Sequence, residues 1–530
     1  MPLTLADHIV TRLKARGVRR MFGVPGGGSS LALIEAGARH GVEFVLARSE
    51  TAAAIMAAVT WELTGAPGVV LTGIGPGAAS VVNGIAYASL ERSALILFTD
   101  CLNASSSIHQ CFDQQALFAP LARQTTRLSP DNAAAIDGLL DACLRPLAGP
   151  VHVDLSAADA NAAIAAIPTS SGQAPQAVPA TDDLLAKARE LLEAARRPVL
   201  LAGLETRSPA GQQAVRELAR RLNCPVLPTY KAKGVFPDAD PLSAGLFTNA
   251  AAEAAILSAA DLIICLGLDP VEMIPQTWRY EAPVLDLAFS PGHFFPFDPA
   301  FSLVTTPQQV MAELLHSTRK SEWTMEAIAD GRHAMQQALA MPQSGLNAQT
   351  ITEALQRVAP PGTRLAVDAG AHMFAAMGFW QADGYASVLK SNGLSTMGYA
   401  LPAAIASSLE EPDRPVLAIT GDGGMNMCLA ELATAAAHEL KIVCAVLNDA
   451  ALSLIDIKQQ RDQRRPLGTR YAASNYARIA EGFGVKAFRV ASLDELGSAA
   501  RAAHAHAGPV LINIETDPSG YGEQLARLRG

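Results

Sequence analysis

Gly421–Leu454 reads GDGGMNMCLAELATAAAHELKIVCAVLNDAALSL, and the run VLAIT just before it, Val416–Thr420, is apolar and bounded by Pro415 and Gly421. A short unbroken apolar run between proline and glycine has the pattern of a strand buried on both faces. Leu429–His438 then reads as a helix and Ile442–Leu447 as a second buried strand, making a β-turn-α-β unit. Its turns carry the chemistry. Gly421, Gly423 and Gly424 let the backbone approach a bulky anion, and the following helix directs free N–H groups towards it. Asp422 and the Asn448-Asp449 pair stand just beyond two strand ends, so their oxygens can converge on one hard cation such as magnesium, with diphosphate oxygens completing the octahedron. Taken alone, Gly-Asp-Gly is also a plain turn at a sharp strand ending.

The 530 residues are too many for one core and suggest three domains of ordinary size. Hydrophobic residues make up 50% of the chain and aromatics 5%, a balance that suits α/β layers rather than an aromatic-rich β-sandwich. A net charge of −9 argues against nucleic acid as the main partner. The opening MPLTLADHIVTRLK contains Asp7 and lacks an apolar signal core, and no later run approaches a membrane span. The expectation is a soluble cytoplasmic protein with no membrane partner. Seven cysteines are scattered from Cys101 to Cys444 without a C-x-x-C pair, so buried free thiols are expected rather than disulfides or zinc.

Along the chain, helical and strand patterns alternate. Leu5–Gly17 has helical spacing, Arg20–Val24 reads as a strand ending in Pro25-Gly26-Gly27-Gly28, and Val42–Ala47, Gly68–Thr72, Ala94–Thr99 and Val151–Leu155 read as further strands. Helices are expected over Ser49–Leu63 and from Gly75-Pro76-Gly77 through Ala88. Ala157–Thr181, rich in Ala, Pro and Ser, reads as a linker. A second set has strands at Pro198–Ala202, Pro225–Pro228, Leu262–Leu266 and Val284–Leu287, with no G-x-G-x-x-G. A polar connection over Thr318–Asn347 leads to a third set: a helix from Thr350, a strand at Arg364–Val367, the Gly-Asp-Gly unit and a last strand at Pro509–Ile514. The fold expected is α/β with three doubly wound parallel-sheet domains at 1–165, 183–330 and 346–530, binding ligands at strand C-termini.

With Asn448 standing 26 positions after Asp422, the central unit resembles the signature of thiamine diphosphate (ThDP) enzymes, and the three-domain layout resembles their pyruvate oxidase and acetolactate synthase branch over essentially the whole chain. That resemblance implies pyrimidine-binding, central and diphosphate-binding domains in that order. It implies metal ligation by Asp422, Asp449 and the carbonyl of Ala451, with Asp449 standing where the family usually has asparagine. RSETAAAIMAA, Arg48–Ala58, resembles the segment whose glutamate protonates the cofactor's aminopyrimidine; here that is Glu50. Gly26-Gly27-Gly28 resembles the family's P-G-G loop near the reaction centre, which makes Gly27 a site candidate. His109-Gln110 with Phe118-Ala119-Pro120 resembles a segment of FAD-free acetolactate synthases whose glutamine, here Gln110, faces the reacting atoms. NGLSTMGYALPAA, Asn392–Ala404, resembles the stretch that props the cofactor in its bent shape, implying contacts from Ser395 and Met397, and His372 matches a position near the diphosphate. Each has a plainer reading alone: Glu50 as a first-turn acid complementing the helix dipole, Met397 as core, His372 as a helix cap.

Two residues depart from the pattern. Ser49 stands where related enzymes carry histidine, and Lys458 falls where FAD-dependent synthases have a substrate-contacting tryptophan; with Arg461, Arg464 and Arg465 it forms a basic run that also reads as a solvated helix face. The expected activity is magnesium- and ThDP-dependent decarboxylation of a 2-oxo acid with carboligation, two pyruvates giving acetolactate and CO2, without FAD. The alternatives are a decarboxylase of a bulkier 2-oxo acid such as benzoylformate, an acyl-CoA lyase, or a catalytically silent ThDP-binding regulatory subunit. A homodimer or homotetramer with sites at the subunit interface is implied, since family sites are completed by two chains.

Overall fold

The computed structural model describes residues 3–102, 109–165, 167, 180–316, 320–343 and 345–529. Three parallel sheets follow one another. The first contains β1 (Arg20–Val24), β2 (Glu43–Leu46), β3 (Gly68–Thr72), β4 (Leu95–Cys101), β5 (Thr125–Leu128) and β6 (Pro150–Ser156), in the order β2-β1-β3-β4-β6-β5. The second contains β7 (Pro198–Ala202), β8 (Val226–Pro228), β9 (Leu262–Leu266), β10 (Val284–Ala288) and β11 (Phe301–Val304), ordered β11-β10-β9-β7-β8. The third contains β12 (Arg364–Val367), β13 (Val388–Lys390), β14 (Val416–Gly421), β15 (Ile442–Asn448), β16 (Lys486–Val490) and β17 (Val510–Glu515), ordered β13-β12-β14-β15-β17-β16. Every paired neighbour is parallel, as the alternation of apolar runs with amphipathic helices requires.

The strands missed by sequence reasoning, β5, β11, β13 and β16, lie at or next to sheet edges and are short or mixed in character. The burial of β16 shows why: only Val490 of its five residues is buried, so no apolar run announces it. The expected Ala157–Thr181 linker begins with a helix, Ala157–Asn161, capped by the Ser156 hydroxyl; residues 166 and 168–179 lie outside the described residues. Helix Met325–Leu339 occupies the polar connection before the third sheet.

The central strands β14 and β15 of the third sheet are buried on both faces, and their alternation assigns each face a different neighbour. Leu417, Ile419, Val443, Ala445 and Leu447 pack in the core shared with the second sheet. Val416, Ala418, Ile442, Cys444 and Val446, one residue out of step, pack in the core shared with the helices of the first sheet, including Ala52–Val59. A period of two thus turns one continuous apolar run into two interfaces. Buried charge ties the three parts together: Lys231 from the second reaches Glu62 at 2.7 Å and Glu91 at 3.0 Å in the first, and donates to the Lys390 carbonyl in the third at 2.9 Å.

Candidate active site

At the end of β14 the structure departs from the expected helix over Leu429–His438. Helix begins at once with Asp422–Cys428, breaks at Leu429-Ala430 and resumes over Glu431–Ala437. Glycines at a helix N-terminus cost little, because a strand-end turn and a first helical turn both leave N–H groups free, and Asp422 satisfies some of them. Its Oδ1 accepts from the Gly423 N–H at 2.7 Å and the Tyr471 hydroxyl at 2.9 Å; its Oδ2 accepts from the Ala450 N–H at 2.7 Å. Asp449, just past β15, accepts the Ser453 hydroxyl at 2.5 Å. Ala450 between them takes φ 56°, and this left-handed turn sets the Ala451 backbone beside both carboxylates.

Burial raises both acids, Asp449 to about 6, and the charge of Asp422 pushes Asp449 further in that direction. Their partners are hydroxyls and backbone N–H groups, with no basic side chain in an ion pair to either among the described residues. A buried carboxylate, Asp422, close enough to a half-buried one, Asp449, to act on its charge fits a hard cation. Among the described residues no three His, Cys, Asp or Glu side chains gather into a metal group, so such a cation would draw its remaining oxygens from backbone and ligand.

The rest of the cradle assembles around these acids. A Cβ on Gly423 would stand 2.7 Å from Leu452 Cδ2 and 3.1 Å from Met397 Cε, so the missing side chain is what admits Met397. His372 opens helix His372–Phe379 after β12 and is 4% exposed; burial, helped by the charge of Lys390, pushes it down to about 4 and keeps the ring neutral. Its Nε2 is buried with no hydrogen-bond partner among the described residues, a polar atom that a ligand could satisfy. His372, Ser395, Met397, Gly421, Asp422, Gly423, Gly424, Asp449 and Ala451 all line one cavity of about 450 Å3, walled opposite by the second sheet's Tyr230, Thr248 and the stretch 271–275. A diphosphate with its metal ion fits this combination of glycine backbone, paired acids and orphaned imidazole.

Glu50, Gln110 and Gly27 are absent from that cavity and form a second group. Glu50 starts helix Glu50–Thr64 after β2 and is half-buried, its Oε1 3.5 Å from the place a Cβ on Gly77 would occupy. A Cβ on Gly75, at φ 64°, would collide with the Gln110 carbonyl at 2.4 Å, so Gly75 is what lets Gln110 settle over the end of β3. Gly27 is exposed, and none of the described residues beyond its chain neighbours lies within 4 Å of the place a Cβ on it would occupy; its neighbours Gly26 and Gly28 lie against Asp100, whose carboxylate holds the loop through the Gly28 and Ser30 N–H groups and the Ser29 and Ser30 hydroxyls. Loops from the ends of β1 to β4 thus converge on one rim.

Two residues that sequence reasoning did not single out position these groups. Glu431, 1% exposed, accepts from the Arg48 and Ser49 N–H groups at 2.9 and 3.0 Å, clamping the turn that presents Glu50 to the third sheet's layer. Asp100 is the other. Both act across long sequence separations, so no local pattern marks them. Ser49 caps the Glu50 helix by accepting from the Ala52 N–H at 3.2 Å, a structural reason for the residue found there. Lys458 is half-buried on helix Ser453–Arg461, while Arg461 pairs with Asp462 at the surface.

Comparison with known proteins adds three family matches. Residues 3–118, 185–314 and 368–514 match, respectively, the N-terminal TPP binding, central and C-terminal TPP binding domains of thiamine pyrophosphate enzymes. The chain is 26% identical to an acetolactate synthase of Bacillus subtilis over 97% of its own length and 93% of the relative's. It is 28% identical to a probable 2-ketoarginine decarboxylase of Pseudomonas aeruginosa over 97% and 94%. A thiamine diphosphate-dependent 4-hydroxybenzoylformate decarboxylase from Rhodococcus jostii RHA1 has the same fold, with a TM-score of 0.85, 21% identity, and coverage of 97% of this chain and 99% of that one. No described helix is long and apolar enough to cross a membrane.

Proposed function

Because this chain belongs to the thiamine pyrophosphate enzyme family, with its three domains in the family's order, we propose that it is a magnesium-dependent enzyme that converts two pyruvates, with uptake of a proton, into acetolactate and CO2 without FAD. The observation that carries the reading is the cavity at the third sheet, where paired acids, glycine backbone, Met397 and a neutral His372 converge. When bound, ThDP supplies a carbon nucleophile and an electron sink for decarboxylation. Asp422, Asp449 and the Ala451 carbonyl would hold the magnesium ion; the N–H groups of the glycine turn and His372 would hold the diphosphate. Met397 would support the thiazolium side through its packing over Gly423. Glu50 would hold a proton beside the aminopyrimidine nitrogen and return it, which its place at a half-buried helix start allows.

Glu50 and Gln110 sit on a different rim from the cavity, and this supports a homodimer or homotetramer in which one chain's Glu50 rim closes over another's cradle. The working division is a pyrimidine-binding domain at 1–165, a central domain at 183–330 and a diphosphate-binding domain at 346–530. The FAD-free reading rests on the His109-Gln110 and Phe118-Ala119-Pro120 segment and on a second domain lacking a dinucleotide loop. Incubation with ThDP, magnesium and pyruvate tests it: acetolactate, read as acetoin after acid decarboxylation, is expected alongside CO2. Free acetaldehyde as the sole organic product would replace carboligation by simple decarboxylation, and no CO2 from pyruvate would reject that substrate.

A further inference from the structure

Lys390, the last residue of β13, is 1% exposed and lines the same cavity as the diphosphate cradle. It is the only lysine or arginine among the described lining residues, against three acids, Glu272, Asp422 and Asp449. Buried ammonium groups are costly unless an anion meets them. Deeper in the interface Lys231 has two, Glu62 and Glu91. Lys390 has no ion-pair partner among the described residues: its Nζ donates to the Ser391 carbonyl at 2.9 Å and lies 5.3 Å from the Tyr230 ring centre.

The acids nearby are already engaged. Glu272 accepts from the Leu204 N–H at 2.7 Å and the Thr229 hydroxyl at 2.5 Å, and burial raises it to about 8. Asp368 is held by the Thr420 hydroxyl at 3.0 Å and the Ala369 N–H at 2.8 Å. Lys390 lies within reach of the charges of Glu91, Lys231 and Asp368 and acts in turn on His372, while its seat on the Tyr230 ring places it against the cavity's central-domain wall. That side is apolar apart from Tyr230, Thr248 and Glu272, with Val271, Met273, Ile274 and Pro275 forming the wall.

We propose that Lys390, seated on Tyr230, binds a second anionic group of the organic ligand, so that beside the short pyruvate of the reaction above this cavity also takes a longer 2-oxo acid, holding one with a distal carboxylate more tightly than one of equal length that ends in a methyl group. The proposal rests on the reading of the cavity as a ThDP site, and its test separates the two. The ThDP–magnesium protein is titrated calorimetrically with glutarate and with hexanoate, unreactive probes of similar length that differ in the second charge, in wild type, Lys390→Met and Lys390→Arg. Glutarate should bind wild type and Lys390→Arg more tightly than hexanoate by at least about 10-fold, the scale of a charge-assisted hydrogen bond, and lose that preference in Lys390→Met. Equal binding of the two probes by wild type, or a preference that survives in Lys390→Met, overturns the proposal even if the methionine variant is poorly folded, because the first comparison needs no variant. A Lys390→Met protein that loses ThDP affinity while keeping the glutarate preference would assign the lysine to the diphosphate and also overturn it. Failure of wild type to bind ThDP would instead remove the cofactor reading.

Discussion

The first and third sheets have the same strand order, two crossovers included, yet their loop ends carry opposite chemistry. In the third, the buried Asp422 and the half-buried Asp449 act on one another's charge, have neutral partners and suit a cation. In the first, the buried acid Asp100 is spent on tying a glycine loop, and the half-buried Glu50 is left at a helix start, the place of the proton exchange that we propose for it. One topology brings loops together at the strand C-termini in both cases; which residues stand on those loops decides whether a rim suits the metal or the proton transfer that we propose for it.

The largest effect should come from the rim proposed to handle protons. Glu50→Gln keeps the shape and removes the exchangeable proton, and should cost at least about 100-fold in turnover with ThDP affinity retained. Near-normal turnover on any 2-oxo acid would erase the contrast between the rims. At the proposed metal rim, Asp449→Ala should weaken magnesium and ThDP together, by about 10-fold or more, since this acid would hold the ion on which the diphosphate depends. Titrations of ThDP at limiting magnesium check this, and an unchanged affinity would place the metal elsewhere.

Glu431→Ala probes the connection between the two. It frees the turn before Glu50 without touching the cradle, and should lower kcat by roughly 10-fold through misplacement while leaving the ThDP dissociation constant nearly constant. A parallel loss of ThDP binding would mean that Glu431 supports the cradle instead. The smallest effect belongs to Ser49→Ala, which deletes a helix cap and should cost about 1 kcal/mol of stability in a denaturant melt with little change in rate. A large rate loss at unchanged stability would give Ser49 a chemical part.

Much of the fold was legible because its information is local. Val416–Thr420 and Ile442–Leu447 are apolar on consecutive residues, and only a strand covered on both faces tolerates that. The acids and glycines of the cradle were legible too, since strand-end turns keep them close in sequence to the strands that place them. The sequence by itself therefore determined the α/β class, the order of its three sheets and the residue types of both rims. Tertiary structure alone decided which rim each residue joins: that Glu50 and Gln110 lie outside the cavity of Asp422 and Met397, that Glu431 reaches back 382 and 383 positions to the Glu50 turn, and that Lys390 is buried without a carboxylate partner among the described residues. Those facts depend on how separate layers dock, and docking brings together residues whose separation along the chain leaves no periodicity to read.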